Sequence, residues 1–162
     1  MSDKTLDSLS AQLGALLLNR RMSVATAESC TGGGVAEIIT RTPGSSHWFE
    51  RGYVTYSNIS KQELLDIDGE ILEQFGAVSR EAAEAMVAGA IRNSHAQSAL
   101  AITGIAGPDG GTDAKPAGTV WIAWQIENNA PVSSHFLFQG DRQQVRLQAC
   151  GEALQGLIRL LT

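Results

Sequence analysis

A serine opens a glycine-rich segment, Ser29-Cys30-Thr31-Gly32-Gly33-Gly34, that directly follows a predicted strand. A serine hydroxyl in such a place can act as a nucleophile if a base takes its proton. Small residues at a strand-to-helix turn also leave backbone N–H groups open to a phosphate or a developing oxyanion. Serine is a preferred helix N-cap as well, and on residue type alone the cap is the better interpretation of Ser29.

Lys61 is the candidate base for Ser29. It is predicted at the start of a short helix, just beyond a strand that ends at Tyr56. The helix macrodipole and partial burial would both lower the pKa of a lysine there, and a neutral amine can accept a serine proton. None of the three histidines stands in the context of a catalytic triad. Because most lysines are solvated, residue type alone favours an ordinary surface role for Lys61.

Other side chains near these positions allow two interpretations each. Cys30 is a rival nucleophile, since a helix N-terminus activates a thiol, but we favour a small buried residue. Tyr56 either hydrogen-bonds to the reacting centre or covers the sheet edge. Arg142 and Arg146 are spaced to share one face of the last helix, where they either hold a phosphate or are ordinary surface charges.

A second glycine-rich loop runs from Thr103 to Gly111, after a short apolar segment typical of a buried strand. Glycine there permits positive φ and the close approach of a ligand. Neither loop has the Gly-Lys-Ser/Thr triplet of a P-loop or a full dinucleotide fingerprint. In open α/β sheets, ligands bind beyond the carboxyl ends of strands. One such loop is as easily a plain turn, whereas two together favour a ligand site at that edge.

The elements that position these loops alternate between helices and strands. Apolar spacings of three and four and the capping residues predict helices over 5–19, 35–39, 57–67, 80–92 and 142–161. Short runs of β-formers predict strands over 23–27, 51–56, 99–102, 118–127 and 133–138. This order predicts an α/β fold: a single three-layer α/β/α domain over 1–162 with a mixed sheet, whose last two strands form an antiparallel hairpin.

Composition narrows the function classes. The chain has 162 residues, 43% of them hydrophobic, which suits one domain with a real core. A net charge of −5 supplies no basic face for nucleic acid. The two cysteines are far apart, and no metal-ligand spacing occurs. No apolar run approaches the ~20 residues that span a bilayer, and no signal-peptide pattern is present. We therefore expect a cytoplasmic protein without nucleic-acid or membrane partners.

Several segments in order carry a resemblance to a known family. They are Thr26-Ala27-Glu28-Ser29-Cys30-Thr31-Gly32-Gly33, Gly44-Ser45-Ser46, Arg51-Gly52-Tyr53-Val54-Thr55-Tyr56-Ser57-Asn58 with Lys61, Gly76-Ala77-Val78-Ser79, Thr103-Gly104-Ile105-Ala106-Gly107-Pro108 and Lys115-Pro116-Ala117-Gly118-Thr119-Val120. Together they resemble the CinA C-terminal domain family over nearly the whole chain.

This resemblance implies a nicotinamide mononucleotide deamidase of pyridine nucleotide salvage that needs no metal or cofactor and forms a homo-oligomer. It implies Ser29 as nucleophile, Lys61 as base and Tyr56 close by. The implied contacts to the substrate and its oxyanion come from Cys30, Thr31, Gly32, Gly33, Ser46, Thr103, Gly104, Gly107 and Arg142. Two alternatives stay open: a pyridine-nucleotide-binding module without turnover, and a scaffold whose glycine loops only make turns.

Overall fold

The sheet has five strands in the order β2-β1-β3-β4-β5. The computed structural model describes all residues from 1 to 162. The strands are β1 Val24–Glu28, β2 Phe49–Val54, β3 Ser98–Gly104, β4 Thr119–Ile126 and β5 Val132–Leu137. β1 pairs in parallel with β2 and β3, whereas β4 is antiparallel to both β3 and β5. The predicted mixed sheet and its terminal hairpin are confirmed.

Six helices cover the two faces of the sheet. They are α1 Asp3–Arg20, α2 Gly34–Thr40, α3 Asn58–Leu65, α4 Gly69–Phe75, α5 Arg80–Arg92 and α6 Arg142–Leu161. One apolar cluster joins α1, α2 and α6 to the sheet, and a second joins α3, α4 and α5 to the opposite face. The structure is thus the three-layer α/β/α arrangement that the sequence predicts. No helix is long and apolar enough to cross a membrane.

The central position of β1 explains its composition. All five of its residues are buried because helices cover both faces of the sheet. Ala25 and Ala27 face the α5 side, and Val24 faces the α1 side. The strand ends in a buried acid, Glu28, which is 1% exposed. Its carboxyl group therefore lies inside the protein, directly before the first glycine-rich loop.

Local signals fix the two helices that frame the second loop. Ser79 caps α5 by accepting the Ala82 N–H, and the apolar face that the spacing predicts for α5 is buried: Ala82, Ala83, Met86, Val87 and Ala90. Asp141 forms a capping box with Gln144 at the start of α6. Both helix starts are confirmed at the predicted residues.

Two features differ from the sequence-based expectation. β2 ends at Val54, so Tyr56 lies beyond the strand. α4 was not predicted; it has only seven residues, and Leu72 is the one that is buried. A helix this short with one buried apolar residue carries no periodic signal, and packing against α5 stabilises it.

Candidate active site

Ser29 lies in a tight turn at the carboxyl end of β1. Its N–H donates to the Ile102 carbonyl on β3 at 2.9 Å, and its own carbonyl accepts the Gly32 N–H at 3.0 Å. The N-cap position of α2 is held by Gly33, with a φ of 93° and no side-chain cap. The interpretation of Ser29 as a helix cap is therefore wrong, and its hydroxyl is available for another role.

Lys61 reaches Ser29 from α3. Ser57 caps this helix, and Lys61 follows one turn later with its side chain directed into the protein. Nζ lies 3.1 Å from Ser29 Oγ and 2.8 Å from the Thr55 carbonyl oxygen. The residue is only 1% exposed, so the surface role favoured by residue type is wrong.

The charge state of Lys61 follows from its surroundings. Burial lowers the pKa of Lys61, because desolvation penalises the ammonium form. No carboxylate lies within salt-bridge distance to offset that effect. The arrangement places an amine whose ammonium form is destabilised next to a serine hydroxyl, which suits a base beside a potential nucleophile.

The Glu28 carboxylate holds the turn through three hydrogen bonds, a role that the sequence did not predict. Its Oε1 accepts the Thr31 hydroxyl at 2.7 Å and the Val35 N–H at 2.9 Å, and its Oε2 accepts the Ala36 N–H at 3.1 Å. The first-turn N–H groups of α2 thus bind a carboxylate of the chain itself. The Val35 and Ala36 N–H groups are therefore not open to a phosphate or an oxyanion.

Both glycine loops contribute to one pocket of about 290 Å³ at the carboxyl edge of the sheet. Eight of the predicted site residues line it: Ser29, Cys30, Tyr56, Lys61, Thr103, Gly104, Gly107 and Arg142. Residues that sequence reasoning missed also line it, among them Asn58, Ala106 and Asp109. The carboxyl-edge rule could have found Ala106 and Asp109, because both lie within the predicted second loop.

Four predicted contact residues lie elsewhere. Thr31, Gly32 and Gly33 line a separate cavity of about 350 Å³ behind the turn, between α2 and α6. The Thr31 hydroxyl is bound to Glu28, and the Gly32 N–H to the Ser29 carbonyl. Ser46 is exposed in a 3₁₀ turn before β2, at the amino edge of the sheet and thus opposite Ser29. None of the four faces the pocket that contains Ser29.

Arg142 joins the two sides of the pocket mouth. It is the first residue of α6; its Nη2 donates to the Tyr56 hydroxyl at 3.1 Å and its Nη1 to the Gly107 carbonyl at 2.8 Å. Tyr56 is 64% exposed and therefore lies at the rim. The Thr103 hydroxyl donates to the Ala77 carbonyl at 2.7 Å, which ties the second loop to the segment before α5.

The thiol of Cys30 is poorly suited to act as a nucleophile. It is 7% exposed and packs in the apolar cluster on the α6 side of the sheet. Burial raises the pKa of Cys30 to about 11, so the thiol stays protonated near neutral pH. The interpretation as a small buried residue is supported.

Fold and site together define a three-layer α/β protein with a buried serine and lysine in contact where two glycine loops meet. The family model described as the CinA C-terminal domain matches residues 6–161. The chain belongs to this family.

Proteins of similar sequence carry informative names. A nicotinamide-nucleotide amidohydrolase PncC of Pseudomonas putida is 52% identical over 155 residues, covering 96% of each chain. The protein of the same name from Escherichia coli K12 is 48% identical, covering 97% of this chain and 95% of its own. A CinA-like protein of Syntrophotalea carbinolica is 43% identical, and the match covers 96% of this chain but 37% of that one.

Solved structures agree with the family assignment. The competence/damage inducible protein CihA from Agrobacterium tumefaciens has a TM-score of 0.96 and 38% identity, over 100% of this chain and 98% of that one. A CinA superfamily protein from Klebsiella pneumoniae has a TM-score of 0.92 and 34% identity, over 96% and 97%. The predicted family and fold class are confirmed.

Proposed function

We propose that this chain hydrolyses the carboxamide of nicotinamide mononucleotide to give nicotinic acid mononucleotide and ammonia. The observation that carries the proposal is the buried Lys61 amine, 3.1 Å from Ser29 Oγ and without an acidic partner. The names of its close relatives support the substrate, since they are nicotinamide-nucleotide amidohydrolases.

In the first step, neutral Lys61 takes the proton of Ser29 as Oγ attacks the carboxamide carbon. The Thr55 carbonyl accepts one N–H of the amine, and the lone pair of the neutral amine, 3.1 Å from Oγ, can accept the Ser29 proton. The C–N bond then breaks, the Lys61 ammonium returns its proton to the leaving nitrogen, and ammonia departs. Ser29 is left as an ester of the pyridine carboxylate.

The oxyanion of this step needs N–H donors that the protein has not already used. In the first loop only Cys30 both lines the pocket and has an N–H without an acceptor on another residue. In the second loop Ala106 and Gly107 also line the pocket, and their N–H groups donate to no other group of the chain. Each such donor contributes about 3 kcal/mol to the stability of the transition state.

A water molecule completes the reaction. Once ammonia has left, the Lys61 amine is neutral again and accepts a proton from the water that attacks the ester. Ser29 leaves as its hydroxyl, and the acid product is released. Tyr56 stands at the rim, bound to Arg142, where its hydroxyl can relay a proton to or from the solvent.

Charge at the pocket mouth suggests how the nucleotide lies. With Lys61 neutral, Arg142 is the one cation that lines the pocket, and we assign the phosphate to it. Asp109 lines the same pocket without a hydrogen bond or salt bridge to another side chain. A carboxylate suits the two hydroxyls of a ribose, so we assign the ribose to Asp109.

The decisive experiment measures ammonia and nicotinic acid mononucleotide released by the purified chain. Wild-type protein is expected to turn over, and Ser29→Ala to bind the substrate in calorimetry without releasing ammonia. Tight binding by the wild type without turnover would instead identify a nucleotide-binding module. Absence of both binding and turnover would leave the loops as turns of a scaffold.

The oligomeric state and the cellular location stay predictions. A homo-oligomer is expected from light scattering of the purified chain, and a cytoplasmic location from fractionation of cells that express it.

A further inference from the structure

Arg146 contacts the Ser29 turn from the side opposite the pocket. This half-buried residue of α6 donates from Nε to the Cys30 carbonyl at 3.2 Å and from Nη2 to the Thr31 carbonyl at 3.1 Å. It borders the cavity behind the turn and not the pocket that contains Ser29. Its guanidinium therefore does not contact a substrate held at Ser29, but it binds the carbonyl of Cys30, the residue that follows Ser29.

Because the peptide group is planar, a hydrogen bond to a carbonyl also restricts the direction of an N–H group. A trans peptide is planar, so fixing a carbonyl also fixes the N–H on the other side of the same unit. The Ser29 carbonyl is held by the Gly32 N–H, and the Cys30 carbonyl by Arg146. The Cys30 N–H belongs to the unit of the Ser29 carbonyl, and Arg146 holds the next unit, so rotation about the Cys30 α-carbon that would tilt this N–H is restricted.

We propose that Arg146 is a positioning residue that holds the Ser29–Gly32 turn so that the Cys30 N–H is presented to the oxyanion. This inference rests on the proposed amidohydrolase function. Arginine suits the task because its rigid fork binds two successive carbonyls at once, which a lysine cannot do with the same geometry. Glu28 holds the same turn through the Thr31 hydroxyl. The turn is thus bound by the Glu28 carboxylate at the end of β1 and by the Arg146 guanidinium of α6.

Variants at Arg146 test the proposal. Arg146→Met and Arg146→Lys are each expected to lower kcat by roughly 10- to 100-fold, a part of the loss that follows removal of an oxyanion donor, with KM changed by less than about threefold. Arg41→Lys is the matched control, because Arg41 lines the same cavity but is bound to Glu37, Asp3 and Asp7 and not to the turn. It is expected to keep wild-type kcat.

A transition-state analogue separates positioning from general damage. A pyridine-3-boronic acid forms a tetrahedral adduct with a serine hydroxyl, and its Ki should rise in Arg146→Met by the factor that kcat/KM falls. The Kd for nicotinamide mononucleotide, measured in the Ser29→Ala background, should stay the same with and without Arg146→Met. Equal losses in substrate Kd and in inhibitor Ki would show a merely structural role and overturn the proposal.

Chemical rescue provides a second readout. The cavity beside Arg146 gives a guanidinium ion access to the space left in Arg146→Ala, so millimolar guanidinium should restore part of kcat, and methylammonium should not. Failure of rescue together with wild-type kcat in Arg146→Lys would contradict the inference. Absence of turnover in the wild type would contradict the proposed function instead, and the two failures are thus distinguishable.

Discussion

The Lys61 amine lies 3.1 Å from the Ser29 hydroxyl, and no carboxylate lies within salt-bridge distance of it. Two residues separated by 32 positions meet because α3 folds back over the end of β2, so that its first turns face the end of β1. Desolvation then destabilises the ammonium form of the amine and lowers its pKa. The chemistry we propose depends on this pairing more than on any glycine of the loops.

The rate should depend on the protonation of Lys61. Because burial lowers the pKa of Lys61 from its ordinary 10.5, kcat/KM should rise with pH through that lowered pKa and fall on the acid side as the amine is protonated. Lys61→Arg should reduce kcat by at least about 10³-fold, since a guanidinium stays protonated. A pH–rate profile of wild type and variant checks this, and a wild-type rate unaffected by pH below neutrality would contradict it.

The free energy of unfolding should also depend on the protonation of Lys61. The unfolded chain holds a proton on Lys61 up to about its ordinary pKa of 10.5, whereas the folded chain releases it at a lower pH. The contribution of Lys61 to stability is therefore complete above 10.5 and is lost as pH falls toward the folded pKa, by up to ~1.4 kcal/mol per pH unit. Urea unfolding at several pH values should show this slope in the difference between wild type and Lys61→Met.

Cys30 should be unreactive and dispensable. Because burial raises the pKa of Cys30 to about 11, iodoacetamide should label it far more slowly than a free thiol at neutral pH, as followed by mass spectrometry. Cys30→Ala should keep activity within about threefold of wild type, since a surface of small residues remains at the turn. Loss of all activity in Cys30→Ala, with the fold intact by circular dichroism, would revive the thiol as nucleophile.

Two residues at the pocket mouth should separate the parts of the substrate. Arg142→Ala should raise KM for nicotinamide mononucleotide by roughly 10- to 100-fold and change it much less for nicotinamide riboside, which lacks the phosphate. Asp109→Asn should raise KM for both by about tenfold, because both carry the ribose. Steady-state kinetics on the two substrates check both assignments, and a uniform change at Arg142 would instead indicate loss of its contacts to Tyr56 and Gly107.

Glu28 should be a major contributor to stability. Glu28→Ala leaves the Thr31 hydroxyl and the Val35 and Ala36 N–H groups without their acceptor, and should lower the free energy of unfolding by about 3 kcal/mol or more. Glu28→Gln keeps one acceptor and should cost less. Denaturant unfolding measures both, and equal stability of wild type and Glu28→Ala would show that water replaces the carboxylate.

Most of the fold follows from local patterns in the sequence. The leucine spacing of α1 and the capping residues Ser79 and Asp141 are signals that depend on a few neighbouring residues. The turn-bounded β-formers of β4 and β5 give the antiparallel hairpin in the same way. The contact between Ser29 and Lys61 has no such local signal: the place of Lys61 after a strand end made it a candidate base, and the ordered family motifs favoured the pairing.

The errors in the site have a common physical cause. Gly32 and Thr31 are adjacent to Ser29 in sequence, but the tight turn directs their polar groups inward, to the Ser29 carbonyl and to Glu28. Ser46 belongs to a family motif, yet the direction of β2 places it at the other edge of the sheet. Position in sequence predicts which loop a residue belongs to, and hydrogen bonds across elements decide where that residue points.

The contact of Arg146 with the Ser29 turn joins an early segment of the chain to the last helix, which is synthesised much later. The proposed nucleophile and base lie in the first 61 residues, whereas Arg142 and Arg146 lie on the last helix and are synthesised roughly 80 residues after Lys61. A nascent chain still short of α6 lacks the guanidinium that holds the Cys30 carbonyl and much of the apolar cluster on that face of the sheet. Synthesis of the final helix would thus complete both the core and the proposed positioning contact.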